Sequence, residues 1–150
     1  MSPREIAHWL SEEHAIVQEQ VYALRKLLAV PPVAGRAGWL PELRERFNEL
    51  KQHLKKHMAL EESGGYMKGV LKRRPTLAPQ IDSLHHEHNE MERLADQIDA
   101  ALAELQPADS LLIRHSIARI GMFLAYVEHH KEQEEHLVLY TFTEDLGTGD

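Results

Sequence analysis

The stretch LKKHMALEE at residues 54–62 has a counterpart 73 positions further along the chain, VEHHKEQEE at residues 127–135. In both stretches an apolar residue is followed three positions later by a histidine, and four positions after that by a glutamate. Residues spaced by three and four project from the same face of an α-helix. Each stretch therefore predicts a helix whose inward face changes from apolar side chains to a histidine and a glutamate.

Apolar residues recur at the same spacings through four long segments, which are separated by stretches rich in proline, glycine and polar residues. We predict helices at about 3–30, 40–63, 78–105 and 109–138, followed by a short C-terminal tail, in a single domain over residues 1–150. Four such helices with modest connections are typical of an all-α, up-down-up-down antiparallel four-helix bundle.

Several residues indicate where these helices begin and end. Ser2-Pro3-Arg4-Glu5 has the pattern of a helix capping box, and Pro41 and Pro79 suit the starts of the second and third helices. Gly64 suits a C-terminal cap of the second helix. We expect the basic cluster KGVLKRR at residues 68–74 to be a solvated loop.

The two halves of the chain are related by an internal repeat. A shift of 74 residues places His14 on His88, and the shift of 73 places the second segment on the fourth. The bundle is therefore predicted to consist of two related helix hairpins. The polar positions that the repeat shares, and that interrupt the apolar stripes, are His14, His57, Glu61, His88, His130 and Glu134.

Six polar side chains in one layer of a core favour a metal site. Each buried without a partner would cost roughly 1–3 kcal/mol, against a total stability of about 5–15 kcal/mol for a domain. The chain has no cysteine, so any metal must be bound by nitrogen and oxygen. This mixed set favours non-haem iron over manganese or zinc and leaves open coordination positions at both ions. A metal-free hydrogen-bonded network is the alternative.

Other residues near the six are candidates for supporting roles. Glu62 and Glu135 are the outer members of the two glutamate doublets and could orient ligating histidines. Tyr126 replaces His53 in the repeat and is expected to face the same layer, where it could donate a hydrogen bond to bound peroxide or simply pack. The stripe and the repeat both select His130 over its neighbour His129 as the inward residue. Possible additional ligands, with a surface or supporting role as the alternative, are His85, Glu92 and His53.

The order of these motifs resembles that of the hemerythrin-like (HHE cation-binding) domain, from about residue 5 to residue 142. Ferritin-like di-iron bundles have the opposite order, Glu-x-x-His. The resemblance implies a non-haem centre of two iron ions, oxo- or hydroxo-bridged, with Glu61 and Glu134 as bridging ligands. It rests on EEH at 12–14, HMALEE at 57–62, HEH at 86–88 and HKEQEE at 130–135.

Departures from the oxygen-carrying hemerythrins bear on the function. Those proteins have five histidines, with a His-x-x-x-His pair on the third helix and His-x-x-x-x-Asp on the fourth. Here Leu84 occupies the position of the first histidine of that pair, four positions before His88, and Glu134 replaces the aspartate. We therefore expect a stress-linked oxidoreductase, such as a catalase-like peroxide-consuming enzyme, or a sensor that binds dioxygen, peroxide or nitric oxide. The alternatives are an iron storage or regulatory module without catalysis, a reversible oxygen carrier, and a metal-free helical interaction protein.

The amino-acid composition limits the kinds of partner that we expect this protein to bind. The chain has 17 basic and 24 acidic residues, a net charge of −7, so it lacks the basic surface that nucleic acids or anionic membranes attract. No uninterrupted apolar run approaches the ~20 residues of a membrane-spanning helix. The first residues, MSPREIAHWLSEEH, do not resemble a secretory signal. We expect a cytoplasmic protein whose partner is a small exogenous ligand; a protein partner is left open.

Overall fold

Five α-helices and one 3₁₀ turn form the part of the chain that the structure describes, which is the backbone of residues 2–147 and the side chains of residues 2–142. The structure is a computed structural model. Residues 148–150 of the predicted C-terminal tail lie outside the described residues. In chain order the elements are α1 (Pro3–Ala29), α2 (Arg36–Ser63), α3 (Tyr66–Arg73), the 3₁₀ turn (Pro75–Leu77), α4 (Ala78–Glu104) and α5 (Ser110–Gly147).

The four long helices form the predicted antiparallel bundle. Helix α1 packs on α2 and α5, and α4 packs on the same two helices from the other side. Near the end of α1, the indole Nε1 of Trp39 donates to the carbonyl of Leu27 at 3.1 Å, and the guanidinium of Arg25 donates to Glu128 at 2.7 Å. Both contacts join the C-terminal half of α1 to the N-terminal half of the partner helix, so neighbours run antiparallel.

The helix ends follow the sequence signals in part. The Ser2 hydroxyl accepts a hydrogen bond from the Glu5 backbone N–H at 3.2 Å, as a capping residue should. Gly64 ends α2, and its N–H donates to the carbonyl of Leu60 at 3.4 Å. The predicted start of α2 near residue 40 is wrong. The left-handed turn at Gly35, with φ of 78°, begins the helix at Arg36, and Pro41 lies inside the helix.

The predicted loop at residues 68–74 is also wrong, because residues 66–73 form helix α3. Tyr66, Met67 and Val70 lie on one face of this helix and are buried, whereas Lys68 and Lys72 are exposed. An isolated helix of eight residues is not stable in water, so α3 depends on packing against the bundle. The basic residues of this segment led to the loop prediction, whereas its buried apolar residues stabilise the helix.

Helix α5 is longer than predicted, since it continues to Gly147 instead of ending near residue 138. Val138, at the predicted end, and Phe142, in the extension, are buried and pack with α3. By length and composition alone, Ser110–Phe142 could also cross a membrane. Its inward face packs on α1 and α4, as expected of a core helix in a bundle.

The core has two apolar clusters with a polar layer between them. The larger one includes Phe47 and Leu50 and fills the end of the bundle near the α1–α2 connection. The smaller one includes Ile6, Tyr66 and Phe142 and is covered by α3. The six residues singled out from the sequence lie between the two clusters.

Candidate metal centre

All six predicted site residues meet at one level of the bundle, each with at most 5% of its surface exposed. They form two groups of four whose potential ligand atoms all lie within 4.8 Å of one another. Glu61 and Glu134 belong to both groups. Group A consists of His14, His57, Glu61 and Glu134, and group B of Glu61, His88, His130 and Glu134.

Helices α2 and α5 each supply a histidine and a glutamate to the layer, whereas α1 and α4 each supply a histidine alone. On α2, His57 Nε2 lies 3.2 Å from Glu61 Oε1 one turn away, and on α5 the equivalent distance from His130 Nε2 to Glu134 Oε2 is 3.5 Å. Helices α1 and α4 each supply one histidine. His14 Nε2 lies 3.2 Å from Glu134 Oε1. All four imidazoles therefore direct Nε2 at the two carboxylates.

Five inward atoms of this layer lack a hydrogen-bond partner, whereas both oxygens of Glu134 are hydrogen-bonded. Buried polar atoms in proteins are nearly always paired, so a cluster of unpaired ones needs an explanation. Each is a nitrogen or oxygen with a lone pair that a cation can accept, and the donor set contains no sulfur. The residues therefore fit a pair of metal ions. Among the described side chains, the unpaired inward atoms are His57 Nε2, His88 Nε2, His130 Nε2, Glu61 Oε1 and Glu61 Oε2.

The outward nitrogen of every histidine approaches a carboxylate on a neighbouring helix. A carboxylate at Nδ1 fixes the orientation of the ring and leaves Nε2 free for metal. His14 and His130 form this hydrogen bond, as metal-ligating histidines usually do, whereas Nδ1 of His57 and Nδ1 of His88 only approach a carboxylate and are not hydrogen-bonded to it. The Nδ1 distances are 2.9 Å for His14 to Glu135, 3.4 Å for His57 to Glu13, 3.7 Å for His88 to Glu62 and 2.7 Å for His130 to Glu87.

Sequence reasoning found half of this outer ring. Glu62 and Glu135 were expected there, but Glu13 and Glu87 were missed. A signal for them exists, because each directly precedes the inward histidine of its helix, His14 or His88, and the shift of 74 residues relates the two. The internal repeat therefore extends beyond the six inward residues to all four orienting carboxylates.

Burial and contacts between the site residues shift the pKa values of their side chains. Burial raises the pKa of Glu61 well above its usual value, and the neighbouring Glu134 raises it further. Although burial opposes it, contact with Glu61, His130 and His14 holds the pKa of Glu134 well below its usual range. Burial lowers the pKa of His88, but Glu134 and Glu61 outweigh it and raise that pKa to about 9. A cation that binds here must displace protons.

The possible additional ligands belong to neither group among the described residues. The side chain of His85 is 56% exposed and pairs with Glu62 at the surface. His53 stacks on His57 with 6.3 Å between ring centroids, and its Nε2 lies 3.3 Å from Glu13. Glu92 is half-buried on α4. The structure thus places His53 beside a site histidine and gives no ligand position to any of the three.

Tyr126 does not face the layer, contrary to the sequence prediction. It is 50% exposed and lines a surface cavity between α4 and α5, because the inward stripe of α5 passes through the adjacent Val127. His129 is exposed and His130 buried, as predicted. The tyrosine that does reach the site is Tyr66, which is fully buried and was missed because α3 was expected to be a loop.

Tyr66 enters the site from the side of the smaller cluster. Its hydroxyl donates a 2.6 Å hydrogen bond to Glu134 Oε2. Burial raises the pKa of this phenol well above its usual value, and Glu134 and Glu61 raise it further, so it keeps its proton. On the opposite side a small cavity of about 20 Å³ adjoins the layer, enough space for one water-sized molecule. The apolar residues that line this cavity are Val17, Leu54, Met58, Met91 and Val127.

A four-helix bundle that carries two groups of histidine and glutamate side chains at one level is the arrangement found in a class of metal-binding helical proteins. The chain matches the family model of the hemerythrin HHE cation-binding domain over residues 5–142, and it belongs to that family. The match spans nearly the whole chain and includes all six inward residues, which confirms the resemblance seen in the sequence. Searches of curated proteins and of solved structures gave no match.

Proposed function

We propose that this chain is a non-haem di-iron protein that binds or reacts with dioxygen, peroxide or nitric oxide. The observation that carries the proposal is the pair of four-residue groups that share Glu61 and Glu134, with unpaired inward atoms in a buried layer. Two shared carboxylates suit two ions held close together, and nitrogen and oxygen ligands without sulfur suit iron.

The chain's own residues would prepare the site for such chemistry. Hydrogen bonds to Glu135 and Glu87 hold the rings of His14 and His130 so that Nε2 points inward. Glu61 and Glu134 supply the negative charge that balances the cations. Iron, when bound, supplies redox chemistry and coordination positions for a small molecule. The adjoining cavity of about 20 Å³ is lined by five apolar side chains together with site residues and Lys131, and it has space for one water-sized molecule.

The test begins with metal content. The purified protein is loaded anaerobically with ferrous iron, desalted and analysed for bound metal and for near-ultraviolet absorption after exposure to air. We expect about two irons per chain and the absorption of an oxo-bridged ferric pair. Zinc or manganese in place of iron, or a metal content near zero, would contradict the proposal.

Adjacent histidines on α5 give a matched pair of variants. His130→Gln removes an inward nitrogen of group B and should lower the bound iron to about one per chain or less. His129→Gln changes an exposed neighbour and should leave the iron content unchanged.

Exogenous reagents then separate the possible activities of the loaded protein. Evolution of oxygen from peroxide would identify an enzyme, and a stable oxygen adduct would identify a carrier. Bound iron without either reaction, and without nitric oxide binding, would contradict the reactive centre and support the storage or regulatory role.

A further inference from the structure

A surface groove between α1 and α5 lies next to the small cavity that adjoins the buried layer. We call the groove, which has a volume of about 250 Å³, the outer groove, and the cavity of about 20 Å³ the inner cavity. Three residues line both of them, namely Val17, Val127 and Lys131. These three side chains therefore form the wall between the outer groove and the inner cavity.

Lys131 is the side chain of this wall that can move most easily. Val17 and Val127 are each 3% exposed, and a valine in a helix is nearly fixed in one rotamer. Lys131 is half-buried and has a long unbranched stem, which can lie on apolar side chains while the ammonium group reaches water. A change of rotamer at Lys131 is therefore the simplest way to join the outer groove to the inner cavity.

Lys131 also brings a positive charge to this wall, and it forms no ion pair among the described side chains. Glu128 lines the same groove but is bound by Arg25 at 2.7 Å, and Glu132 lines it at an exposed position. The chain as a whole has a net charge of −7 and repels anions. A local ammonium group therefore determines where a small anion approaches the layer most readily.

The approach to the inner cavity from between α4 and α5 has a different character. The surface cavity on that side shares Met91 and His130 with the inner cavity. His130 is a site residue, and its Nδ1 is hydrogen-bonded to Glu87 at 2.7 Å, so it cannot move without disturbing the layer. Glu87 and Glu90 line this side and repel anions. A small anion is therefore expected to enter past Lys131.

We propose that Lys131 is the gate of an access route from the outer groove to the buried layer, and that its ammonium group favours small monovalent anions over neutral molecules. The route ends at the inner cavity, which is lined by residues of both group A and group B. This inference rests on the proposed di-iron function and adds to it the path by which an exogenous ligand arrives and the residue that determines its rate of arrival.

Chemical labelling tests the route in the metal-free protein. The chain has no cysteine, so a single introduced thiol reports only on its own position. Met58→Cys places the thiol on the wall of the inner cavity, with Leu54→Cys as a second reporter on the same wall. Leu102→Cys places it in the larger apolar cluster, where labelling requires the bundle to unfold. We expect the two inner-cavity thiols to react with the anion iodoacetate faster than the thiol of Leu102→Cys does.

Lys131→Met keeps an unbranched side chain of similar length and removes the charge. Combined with Met58→Cys, it should lower the ratio of the iodoacetate rate to the rate of the neutral reagent iodoacetamide about fivefold, the effect of one charge at contact distance in water. Both reagents attack the same thiolate, so a change in thiol reactivity cancels in this ratio. Lys68→Met, at an exposed position that lines neither cavity, changes the net charge equally and should leave the ratio unchanged.

Ligand association with the iron-loaded protein gives a second readout. Stopped-flow absorbance measures the rate of azide association with the ferric form and of nitric oxide association with the ferrous form. Lys131→Met should slow azide about fivefold and change the nitric oxide rate by less than about twofold, because only azide is charged. Lys68→Met should change neither rate. Circular dichroism of each variant reports whether the bundle is intact.

The outcomes separate the two proposals. Labelling of Met58→Cys and Leu54→Cys no faster than that of Leu102→Cys, or a ratio unchanged by Lys131→Met, would overturn the route past Lys131. Equal slowing of azide and nitric oxide by Lys131→Met would overturn the preference for anions, since it would indicate a steric effect alone. The absence of bound iron in every form would overturn the di-iron function, and the labelling rates would still decide whether the route exists.

Discussion

Replacement of Glu61 by methionine should stabilise the metal-free protein and abolish its response to metal. Glu61 is fully buried, and neither of its carboxylate oxygens makes a well-aligned hydrogen bond among the described residues, although His57 Nε2 and His88 Nε2 lie 3.2 and 3.3 Å from Oε1. Methionine has a similar unbranched shape and no polar group that needs to be paired. The substitution therefore removes an unsatisfied buried carboxyl group and leaves the helix packing in place.

The magnitude follows from the cost of leaving a buried polar group unpaired, about 1–3 kcal/mol. We expect the free energy of unfolding of metal-free Glu61→Met to exceed that of the unmodified metal-free protein by this amount. With metal bound, the unmodified protein should have the larger free energy of unfolding. A free metal concentration of 100 times the dissociation constant stabilises the unmodified protein by about 2.7 kcal/mol per site, and the variant has lost a ligand that both groups share.

The assay is urea unfolding followed by circular dichroism at pH 7, once with chelator and once with excess ferrous iron under anaerobic conditions. Glu49→Met, at an exposed position of the same helix, is the control and should change the free energy of unfolding by no more than about 0.5 kcal/mol. If Glu61→Met destabilised the metal-free protein by more than about 1 kcal/mol, the carboxyl group would be satisfied without metal. The case for a metal site from its unpaired atoms would then fail.

Three further predictions concern the surroundings of the site. Glu87→Ala removes the carboxylate at His130 Nδ1 and should weaken metal binding by about 10–100-fold in a chelator competition, whereas Glu90→Ala at an exposed position should leave it unchanged. Leu50→Ala, in the larger cluster, should lower the free energy of unfolding by about 2–5 kcal/mol, and Leu111→Ala, 76% exposed, by less than about 0.5 kcal/mol. Two aspartates of α4 raise the pKa of Lys51 above 10.5, so the ion pairs stabilise the fold below that pH and lose their effect as the pH rises through the folded-state pKa. Lys51→Met should therefore cost about 0.5–1 kcal/mol in urea unfolding at pH 7, and the difference should vanish at a pH above the folded-state pKa; a constant difference would refute this electrostatic origin.

The two hairpins give the site its symmetry, and the connection between them removes it. Six inward residues and four outer carboxylates follow the internal repeat, so each four-residue group has two histidines and both shared glutamates. Helix α3 occurs only between the hairpins and brings Tyr66 to one carboxylate oxygen. One end of a symmetric layer is thereby closed, while the other end keeps a small cavity.

The sequence by itself determined the bundle and the six inward residues, because both depend on periodicity along single helices. A stripe of apolar positions interrupted at the same level in four helices can place His14, His57, His88 and His130 together in only one way. The choice of His130 over His129 followed from the same rule. Local signals, such as the serine cap of α1, were equally legible because they involve neighbouring residues.

Only the tertiary structure decided what lies between helices that are distant in sequence. The pairing of His130 with Glu87 joins residues 43 positions apart, and that of Tyr66 with Glu134 joins residues 68 positions apart. Helix α3 forms because packing on the bundle stabilises eight residues that could not hold a helix alone. Periodicity identifies which face of a helix is buried, but the side chains that meet across that face depend on the rotation and depth at which helices pack.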